Sequence, residues 1–248
     1  VTSFVEKPTE PPSNLANMGV YLFRREVLDK ALWEDRQRKG SSHDFGKDIL
    51  PRLIKSKTRV FAYPYSGYWM DVGTLASYWQ AHMDLLAPSP HLKLYNRSWI
   101  IHTRTAERPP ARFPAKGKVY ASMICDGCFI EEGATVESSV LSPGVIVRSG
   151  AVVRESIVLT DAEIRSGAVV ERSVLDKQAR VEEHARVGWG VTDQNIRIAL
   201  VGKGSVVPSG YVVEPEAEIG TDVIQSDYPD PTIRAGQVIQ TKRQPNEI

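Results

Sequence analysis

Cysteine is scarce in this chain of 248 residues, which contains only Cys125 and Cys128. So few cysteines indicate either a reducing compartment or simply the absence of a disulfide framework, and we expect a cytoplasmic protein. The pair spells CxxC, but a structural zinc needs four ligands, and no second Cys or Cys/His pair is present. We therefore favour a structural role for both cysteines.

Long hydrophobic runs and an excess of one charge sign are also missing. No run approaches the ~18 apolar residues of a membrane span. Lys and Arg number 31 against 30 Asp and Glu, the signs are interspersed, and the net charge is +1. We therefore expect neither a membrane nor a nucleic acid as a partner. The length suits one large domain or two ordinary ones.

A 17-residue repeat organises the stretch 128–188. Its inward candidates are spaced by 6, 6 and 5 residues, which predicts coils with three short edges and one inward aliphatic side chain on each edge. Such units cannot bury their apolar edges alone and must stack on one another. The three apolar series are Ile130, Val147, Ile164 and Val181; Val136, Val153, Val170 and Val187; and Leu141, Val158 and Leu175.

Small residues, one of them Cys128, precede most members of the first two series by two positions, and glycines recur at the corners. A β-sandwich of short strands is the alternative, but it would alternate apolar and polar residues within each strand. We therefore predict a parallel β-helix of hexapeptide type over 119–220. The period fails at 189–199 and resumes with Val201, Val207, Val213 and Ile219.

Residues 1–87 instead mix strand and helix patterns, and we expect an incomplete α/β domain, because three strands with few helices cannot cover both faces of a sheet. Strands are predicted at 1–5, 18–23 and 60–63. Helices are predicted at 25–38, from the cap residues 41–44 to Leu50, and at 75–86 with Thr74 as N-cap.

Two segments lack either period. The proline-punctuated stretch 88–118 is predicted to be an ordered interdomain linker, and 221–248 a loosely packed tail with one short strand at most. The chain opens with Val1 directly on a strand-like alternation, from which we expect a fragment whose true N-terminus lies upstream.

Three places are candidates for chemistry. Glu6-Lys7-Pro8 follows a predicted strand, where ligands collect in α/β sheets, although a surface ion pair would look the same. In 67–74, aromatic residues and Asp71 precede a capped helix, so Asp71 is either a Mg²⁺ ligand or part of the helix-entry turn. His184 occupies a corner of the repeat; a solvated residue is the favoured interpretation over the base of a hexapeptide acyltransferase.

Several motifs together resemble the bacterial glucose-1-phosphate adenylyltransferases (ADP-glucose pyrophosphorylases), in matching order over about 1–220. The Glu-Lys-Pro motif is shared by all sugar nucleotidyltransferases, whereas the Ser-His-Asp-Phe-Gly and Tyr-Trp-x-Asp-Val-Gly-Thr motifs are more specific. The matching segments are 4–8, 16–21, 41–48 with Pro51, 68–74, 99–103 and 109–113.

This resemblance implies a fold and an activity. The fold would be a partial Rossmann-like nucleotidyltransferase domain in 1–87, a linker, and a left-handed parallel β-helix. The reaction would transfer AMP from ATP to glucose 1-phosphate, giving ADP-glucose and pyrophosphate for glycogen or storage-glucan synthesis. The resemblance also implies Mg²⁺, an allosteric homotetramer, and catalysis by positioning and charge neutralisation.

The resemblance also implies site residues. Glu6 would bind glucose hydroxyls, Lys7 the sugar phosphate, and Asp71 Mg²⁺ or the phosphate end of the sugar; Lys7 and Asp71 would be the catalytic pair. Asn17 stands where many relatives have serine. The residues expected to line the glucose pocket are Asn17, Tyr21, Asp44, Phe45 and Trp69.

The family's glycine-rich, arginine-containing nucleotide loop and its second metal-binding aspartate do not appear in these residues. We therefore expect this chain alone to be inactive. The alternatives are a non-catalytic regulatory or assembly subunit, and a related sugar-1-phosphate nucleotidyltransferase making GDP-mannose or dTDP-glucose, against which the two specific motifs argue.

Overall fold

A computed structural model describes residues 1–103, 106–189 and 197–244. The chain forms two compact units, Val1–Gly67 and Tyr68–Ile248. In the first unit, helix α1 spans Arg25–Arg36, a π-helical turn spans Phe45–Ile49, and helix α2 spans Leu50–Lys55. Their shared core consists of the buried Ala31, Ile49 and Leu53, with Phe23, Val27, Phe45 and Val60 packed against it.

The helix predicted at 25–38 is confirmed, because α1 buries the face that carries Ala31. Asp44 caps the next helical segment as predicted. That segment was expected to stop before Pro51, and this was wrong: α2 continues through Lys55. Proline is tolerated within the first helical turn, since the N–H that it lacks has no intrahelical partner there.

The strands predicted at 1–5, 18–23 and 60–63 do not form hydrogen-bonded ladders in the described part of the first unit, so that prediction was wrong. The Val1 amino group donates a hydrogen bond to the Val60 carbonyl oxygen at 2.8 Å, but no ladder follows. Branched and aromatic side chains favour extended backbone, whereas a strand also needs a neighbour to pair with. Leu22 is consequently 101% exposed.

The second unit begins with helix α3, Leu75–Asp84. Thr74 accepts a hydrogen bond from the Ser77 amide and Ser77 reciprocates at Thr74, which forms a capping box. This confirms the predicted N-cap. Helix α3 belongs to the same compact unit as the strands that follow. The domain boundaries predicted from the sequence at residues 87 and 118 remain predictions.

From Lys118 onward, the described second unit is a parallel β-solenoid of three sheets. The first sheet contains β1 Lys118–Tyr120, β4 Thr135–Glu137, β7 Val152–Arg154, β10 Val169–Glu171, β13 Arg186–Val187, β16 Val212–Val213 and β18 Thr232–Ile233. The second contains β2 Met123–Ile124, β5 Val140–Leu141, β8 Ile157–Val158, β11 Ser173–Leu175, β14 Ala199–Val201, β17 Glu218–Ile219 and β19 Val238–Ile239. The third contains β3 Phe129–Ile130, β6 Ile146–Val147, β9 Glu163–Ile164, β12 Arg180–Val181 and β15 Val206–Val207.

The strand register confirms the repeat. Along the first sheet, Val119 pairs with Val136, which pairs with Val153, then Val170, then Val187, so the same position recurs in every coil. All eleven inward positions predicted within the repeat are at most 1% exposed. The small residues fit the remaining interior of the core, which is closely packed as protein interiors are. The predicted β-helix is therefore confirmed.

The predicted interruption at 189–199 falls mostly on 190–196, outside the described residues. On its far side the coils resume in parallel pairing: Val181 pairs with Val207, and Val187 with Val213. The expectation of a loosely packed tail after residue 220 was wrong. Strands β18 and β19 extend two sheets, and both Ile233 and Ile239 are buried, because the inward aliphatic pattern continues there.

Along the described residues, none of the helices has both the length and the apolar character that a membrane span requires.

Candidate functional site

Glu6 and Lys7 lie on a sharp backbone turn in the first unit. Lys7 has φ +44° and is exposed, whereas Glu6 is half-buried. The Glu6 carboxylate lies against the Cα of Gly46, where any Cβ would overlap it. Glycine at this position therefore lets the carboxylate approach the backbone of the Ser-His-Asp-Phe-Gly motif.

A second group of predicted residues forms an aromatic wall. The rings of Tyr21 and Phe45 stack with centroids 5.6 Å apart and an angle of 19° between planes, and Phe23 packs against both. The Asn17 Nδ2 donates a hydrogen bond to the Tyr21 hydroxyl at 2.6 Å. Asn17 Oδ1 accepts from the Gly19 amide, so the asparagine side chain orients the phenol.

Asp44 caps the π-helical turn. Its Oδ1 accepts hydrogen bonds from the amides of Gly46 and Lys47, both at 2.8 Å. Phe45 lies between this cap and the glycine that contacts Glu6. A continuous set of contacts thus joins Glu6, Asn17, Tyr21, Asp44 and Phe45 within the first unit.

Trp69 and Asp71 belong to the second unit, in the loop that leads into α3. Asp71 is exposed, and its Oδ1 accepts a hydrogen bond from the Gly73 amide at 3.1 Å. The loop contacts both ends of α3. Thr74 caps the start of the helix, and the Tyr68 hydroxyl donates to Oδ2 of Asp84, the last helical residue, at 2.9 Å. Burial and the neighbouring Asp84 carboxylate raise the pKa of Tyr68.

Helix α3 is in turn attached to the solenoid. Trp79 is buried among Ile157, Val174 and Ile198, and its Nε1 donates to the Glu155 carbonyl oxygen at 2.6 Å. The loop that carries Trp69 and Asp71 is therefore fixed to the solenoid through one helix.

Asp71 is the metal candidate. In the described ranges, no three His, Cys, Asp or Glu side chains are grouped so as to hold a metal ion. Gly73 uses only Oδ1 of Asp71. The other carboxylate oxygen is compatible with Mg²⁺, which proteins commonly hold through one or two carboxylates with substrate phosphates and water. The residues present thus fit a Mg²⁺ shared with substrate better than a resident metal.

The other two candidates have structural explanations. Cys128 is buried in the solenoid core and its thiol donates to the Ser142 carbonyl oxygen at 3.1 Å. Burial raises the pKa of both cysteine thiols, which disfavours the reactive thiolate. His184 has φ +59°, and its ring occupies the space beside Gly167 of the preceding coil.

A network beneath the Ser-His-Asp-Phe-Gly motif was not predicted from the sequence. Asp35 is only 3% exposed and its carboxylate contacts Ser41 and His43. The hydrogen bond from His43 is the main cause that lowers the pKa of Asp35. The spacing of Val27, Ala31 and Asp35 by four residues places this carboxylate on the buried face of α1, which is the signal that would have revealed it.

Comparison with known proteins yields two family matches. Residues 1–87 match the family described as Nucleotidyl transferase. Residues 109–207 match the family described as GlmU-like, C-terminal hexapeptide. The two matches follow the change of periodicity in the sequence, from mixed helix and strand patterns to hexapeptide coils.

Curated relatives are named glucose-1-phosphate adenylyltransferase. The protein of Thermomicrobium roseum is 45% identical over an alignment of 248 residues, covering 96% of this chain and 58% of the relative. The protein of Geobacillus stearothermophilus is 46% identical over 139 residues, which cover 56% of this chain and 35% of the relative. The Bacillus subtilis protein is 45% identical over 130 residues, or 52% and 34% of the two chains.

This chain thus spans little more than half the length of the Thermomicrobium roseum relative. The resemblance to the glucose-1-phosphate adenylyltransferases is confirmed over 96% of this chain. With its Nucleotidyl transferase segment followed by a hexapeptide solenoid, the chain is a relative of the glucose-1-phosphate adenylyltransferases.

Proposed function

We propose that this chain provides the glucose 1-phosphate side of an adenylyltransferase that makes ADP-glucose and pyrophosphate from ATP and glucose 1-phosphate. The observation that carries the proposal is the contact set in the first unit: a half-buried carboxylate, an oriented phenol, an aromatic pair and a helix-capping aspartate, next to an exposed lysine. The Nucleotidyl transferase match over the same residues and the names of the relatives support it.

Each of these groups has a suitable chemistry for a sugar phosphate. The Tyr21–Phe45 pair offers an apolar surface to the face of a pyranose ring, and the Glu6 carboxylate accepts hydrogen bonds from sugar hydroxyls. Lys7 is exposed and carries three donors on a compact charge, which suits a phosphate. Asn17 replaces the serine of many relatives and serves by orienting the Tyr21 hydroxyl.

In the proposed reaction, an oxygen of the sugar phosphate forms a bond to the α-phosphorus of ATP while the bond from that phosphorus to the bridging oxygen breaks and pyrophosphate leaves. Lys7 would neutralise the sugar phosphate and hold it in line, and Asp71 would hold Mg²⁺ through a carboxylate oxygen. When bound, Mg²⁺ neutralises phosphate charge. Such catalysis consists of positioning and electrostatic stabilisation.

Lys7 provides the sharpest test. Calorimetric titration of the chain with glucose 1-phosphate is expected to show binding, and Lys7→Gln should raise Kd roughly tenfold to a hundredfold, since hydrogen bonds to charged groups are worth about 1.5–3 kcal/mol. Lys57→Gln is the matched control, because Lys57 is also exposed and has φ +58° in the same unit. Absence of binding by the wild type, or equal effects of the two variants, would contradict the proposal.

Turnover is the second test. The nucleotide loop of the family does not appear among the 248 residues. We therefore expect no pyrophosphate release when the purified chain is given ATP, glucose 1-phosphate and Mg²⁺. Release at an ordinary enzymatic rate, measured with a coupled phosphate assay, would overturn the assignment of this chain to the sugar side alone. Homotetramer formation, allosteric control and a cytoplasmic location stay proposals that rest on the sequence alone.

A further inference from the structure

Two of the four residues that precede Phe45 contact Asp35, a carboxylate of α1. Ser41 Oγ donates to both oxygens of Asp35, at 2.9 and 3.0 Å, and His43 Nδ1 lies 2.8 Å from Asp35 Oδ2. The same serine oxygen accepts from the His43 amide at 3.1 Å. Asp35 thus binds the first and third residues of the segment. Its Oδ1 also lies 3.6 Å from Nη1 of Arg52.

A second carboxylate holds the other two residues of this segment. Asp48 Oδ2 accepts from the Ser42 hydroxyl at 2.6 Å and from the amides of Ser42 and Asp44, both at 3.2 Å. The Ser41 side chain also contacts Asp48. The two carboxylates together therefore contact all four residues of 41–44. We refer to Asp35 and Asp48 as the carboxylate clamp.

The clamp maintains a backbone that would not form readily without it. His43 has a φ of 56°. This value lies in the left-handed region that residues other than glycine rarely adopt, and such a conformation persists where the surroundings over-determine it. The turn at His43 places Asp44 in an extended conformation with φ −106° and ψ 137°, from which it caps the next helical turn.

Resting on the proposed function, we propose that Asp35 and Asp48 are positioning residues for the sugar part of the site: they hold the loop that presents Asp44 and Phe45. Two features point beyond a general stabilising role. Asp35 is buried, and a buried ionic group is weak evidence for stability, because replacing such groups by apolar residues is often neutral or stabilising. Both carboxylates also hydrogen-bond to residues 41–44, which directly precede Phe45 of the aromatic wall.

The test compares Asp35→Asn with Asp29→Asn. Asparagine keeps the shape but replaces one acceptor oxygen by a donor group. Asp29 lies on the same helix, its side chain is 58% exposed, and it pairs only with Arg25 on the helix surface among the ion pairs described. Asp35→Asn should accelerate amide hydrogen exchange at 42–47 roughly tenfold and raise Kd for glucose 1-phosphate roughly tenfold, as expected for losing one charge-assisted hydrogen bond. Asp29→Asn should change neither quantity.

The affinity for inorganic phosphate distinguishes a positioning role of Asp35 from a general destabilisation of the first unit. Phosphate would bind through Lys7, so its Kd, measured by ³¹P NMR, should stay unchanged in Asp35→Asn and rise in Lys7→Gln. Loss of phosphate and glucose 1-phosphate binding by equal factors would overturn the inference. If Asp35→Asn fails to fold, Ser41→Ala removes the same contact from the loop side and should reproduce the exchange and Kd changes.

Three further outcomes are decisive. Unchanged exchange at 42–47 in both clamp variants, Asp35→Asn and Asp48→Asn, would overturn the inference, as would faster exchange without any change in Kd. A wild-type chain that binds no glucose 1-phosphate would contradict the proposed function, while the exchange data would still decide whether the clamp orders the loop.

Discussion

The solenoid and the first unit use apolar residues in opposite ways. In the solenoid each inward aliphatic residue meets the equivalent residue of the coils before and after it, and Val153 is 0% exposed. In the first unit the segments with the strongest strand pattern expose Val20, Leu22, Phe61 and Tyr63. Repetition therefore supplies every solenoid strand with a neighbour, whereas an isolated strand pattern only favours extended backbone.

The largest expected effect is at the centre of the solenoid. Val153→Asp should reduce the free energy of unfolding by several kcal/mol, because it buries a carboxylate without a partner. Val152→Asp, the neighbouring outward position in β7, is the control and should cost several times less. Denaturant unfolding measures both, and equal losses for the two variants would show that the inward and outward assignments are wrong.

The second largest loss of stability is expected where α3 packs against the solenoid. Trp79→Ala should cost about 3–5 kcal/mol, since the indole is buried against the second sheet. Trp79→Phe keeps most of the ring but loses the donor to the Glu155 carbonyl oxygen, and a cost of about 1 kcal/mol is expected. Thermal unfolding of the two variants tests this order. A phenylalanine variant as unstable as the alanine variant would mean that packing is not the main contribution.

Surface ion pairs of the solenoid should contribute less. Arg148 contacts both Glu131 and Glu163 at 2.7 Å, and its hydrogen bond lowers the pKa of Glu131. Glu131→Gln should cost under ~1 kcal/mol at pH 7, because the pair is partly exposed. A carboxylate with a lowered pKa stabilises the fold above its unfolded-state value, and the contribution disappears as the pH falls through the folded-state value.

The difference in unfolding free energy between wild type and Glu131→Gln should therefore be present at pH 7 and decline at acidic pH, below about 4. Urea titrations at a series of pH values measure it. A difference that stays constant down to the lowest pH would exclude an electrostatic origin.

The smallest effect is expected in the first unit, where the Leu22 side chain is fully exposed. Substitutions at exposed positions away from special features rarely alter stability, so Leu22→Asp should leave the free energy of unfolding unchanged within the error of a denaturant titration. The comparison is with Val153→Asp, which introduces the same carboxylate at a buried position. A loss at Leu22 approaching that at Val153 would contradict the difference between the two regions.

The sequence was most informative where a local pattern and its neighbours agree. The 17-residue period, which also separates the hydrogen-bonded Ser139 and Ser156, predicted each inward side chain because every coil has the same environment. Thr74 and Asp44 were predicted as caps because capping is local. The strands of the first unit failed because pairing depends on partners that a local pattern does not specify. The tail was misjudged because its polar residues conceal two inward isoleucines in β18 and β19.

The residues proposed for the site were named from the sequence and stay a prediction, whereas the network that supports them was not predicted. The motifs named Tyr21, Asp44 and Phe45, and the structure brings them together. Asp35 was missed because it lies outside the motif, and only the face of α1 on which it sits reveals that its carboxylate turns inward. The spacing along α1 indicates that the carboxylate is buried, but it does not specify which loop residues the carboxylate contacts.

We propose that glucose 1-phosphate binds in the first unit, and a titration of the ¹⁵N-labelled chain followed by NMR tests this binding residue by residue. The largest shift changes should occur at Glu6, Lys7, Asn17, Tyr21 and Phe45, and they should be reduced in Lys7→Gln. Amides in the solenoid core, such as that of Val153, should not move. Shift changes confined to the solenoid, or none at millimolar ligand, would contradict binding of glucose 1-phosphate in the first unit.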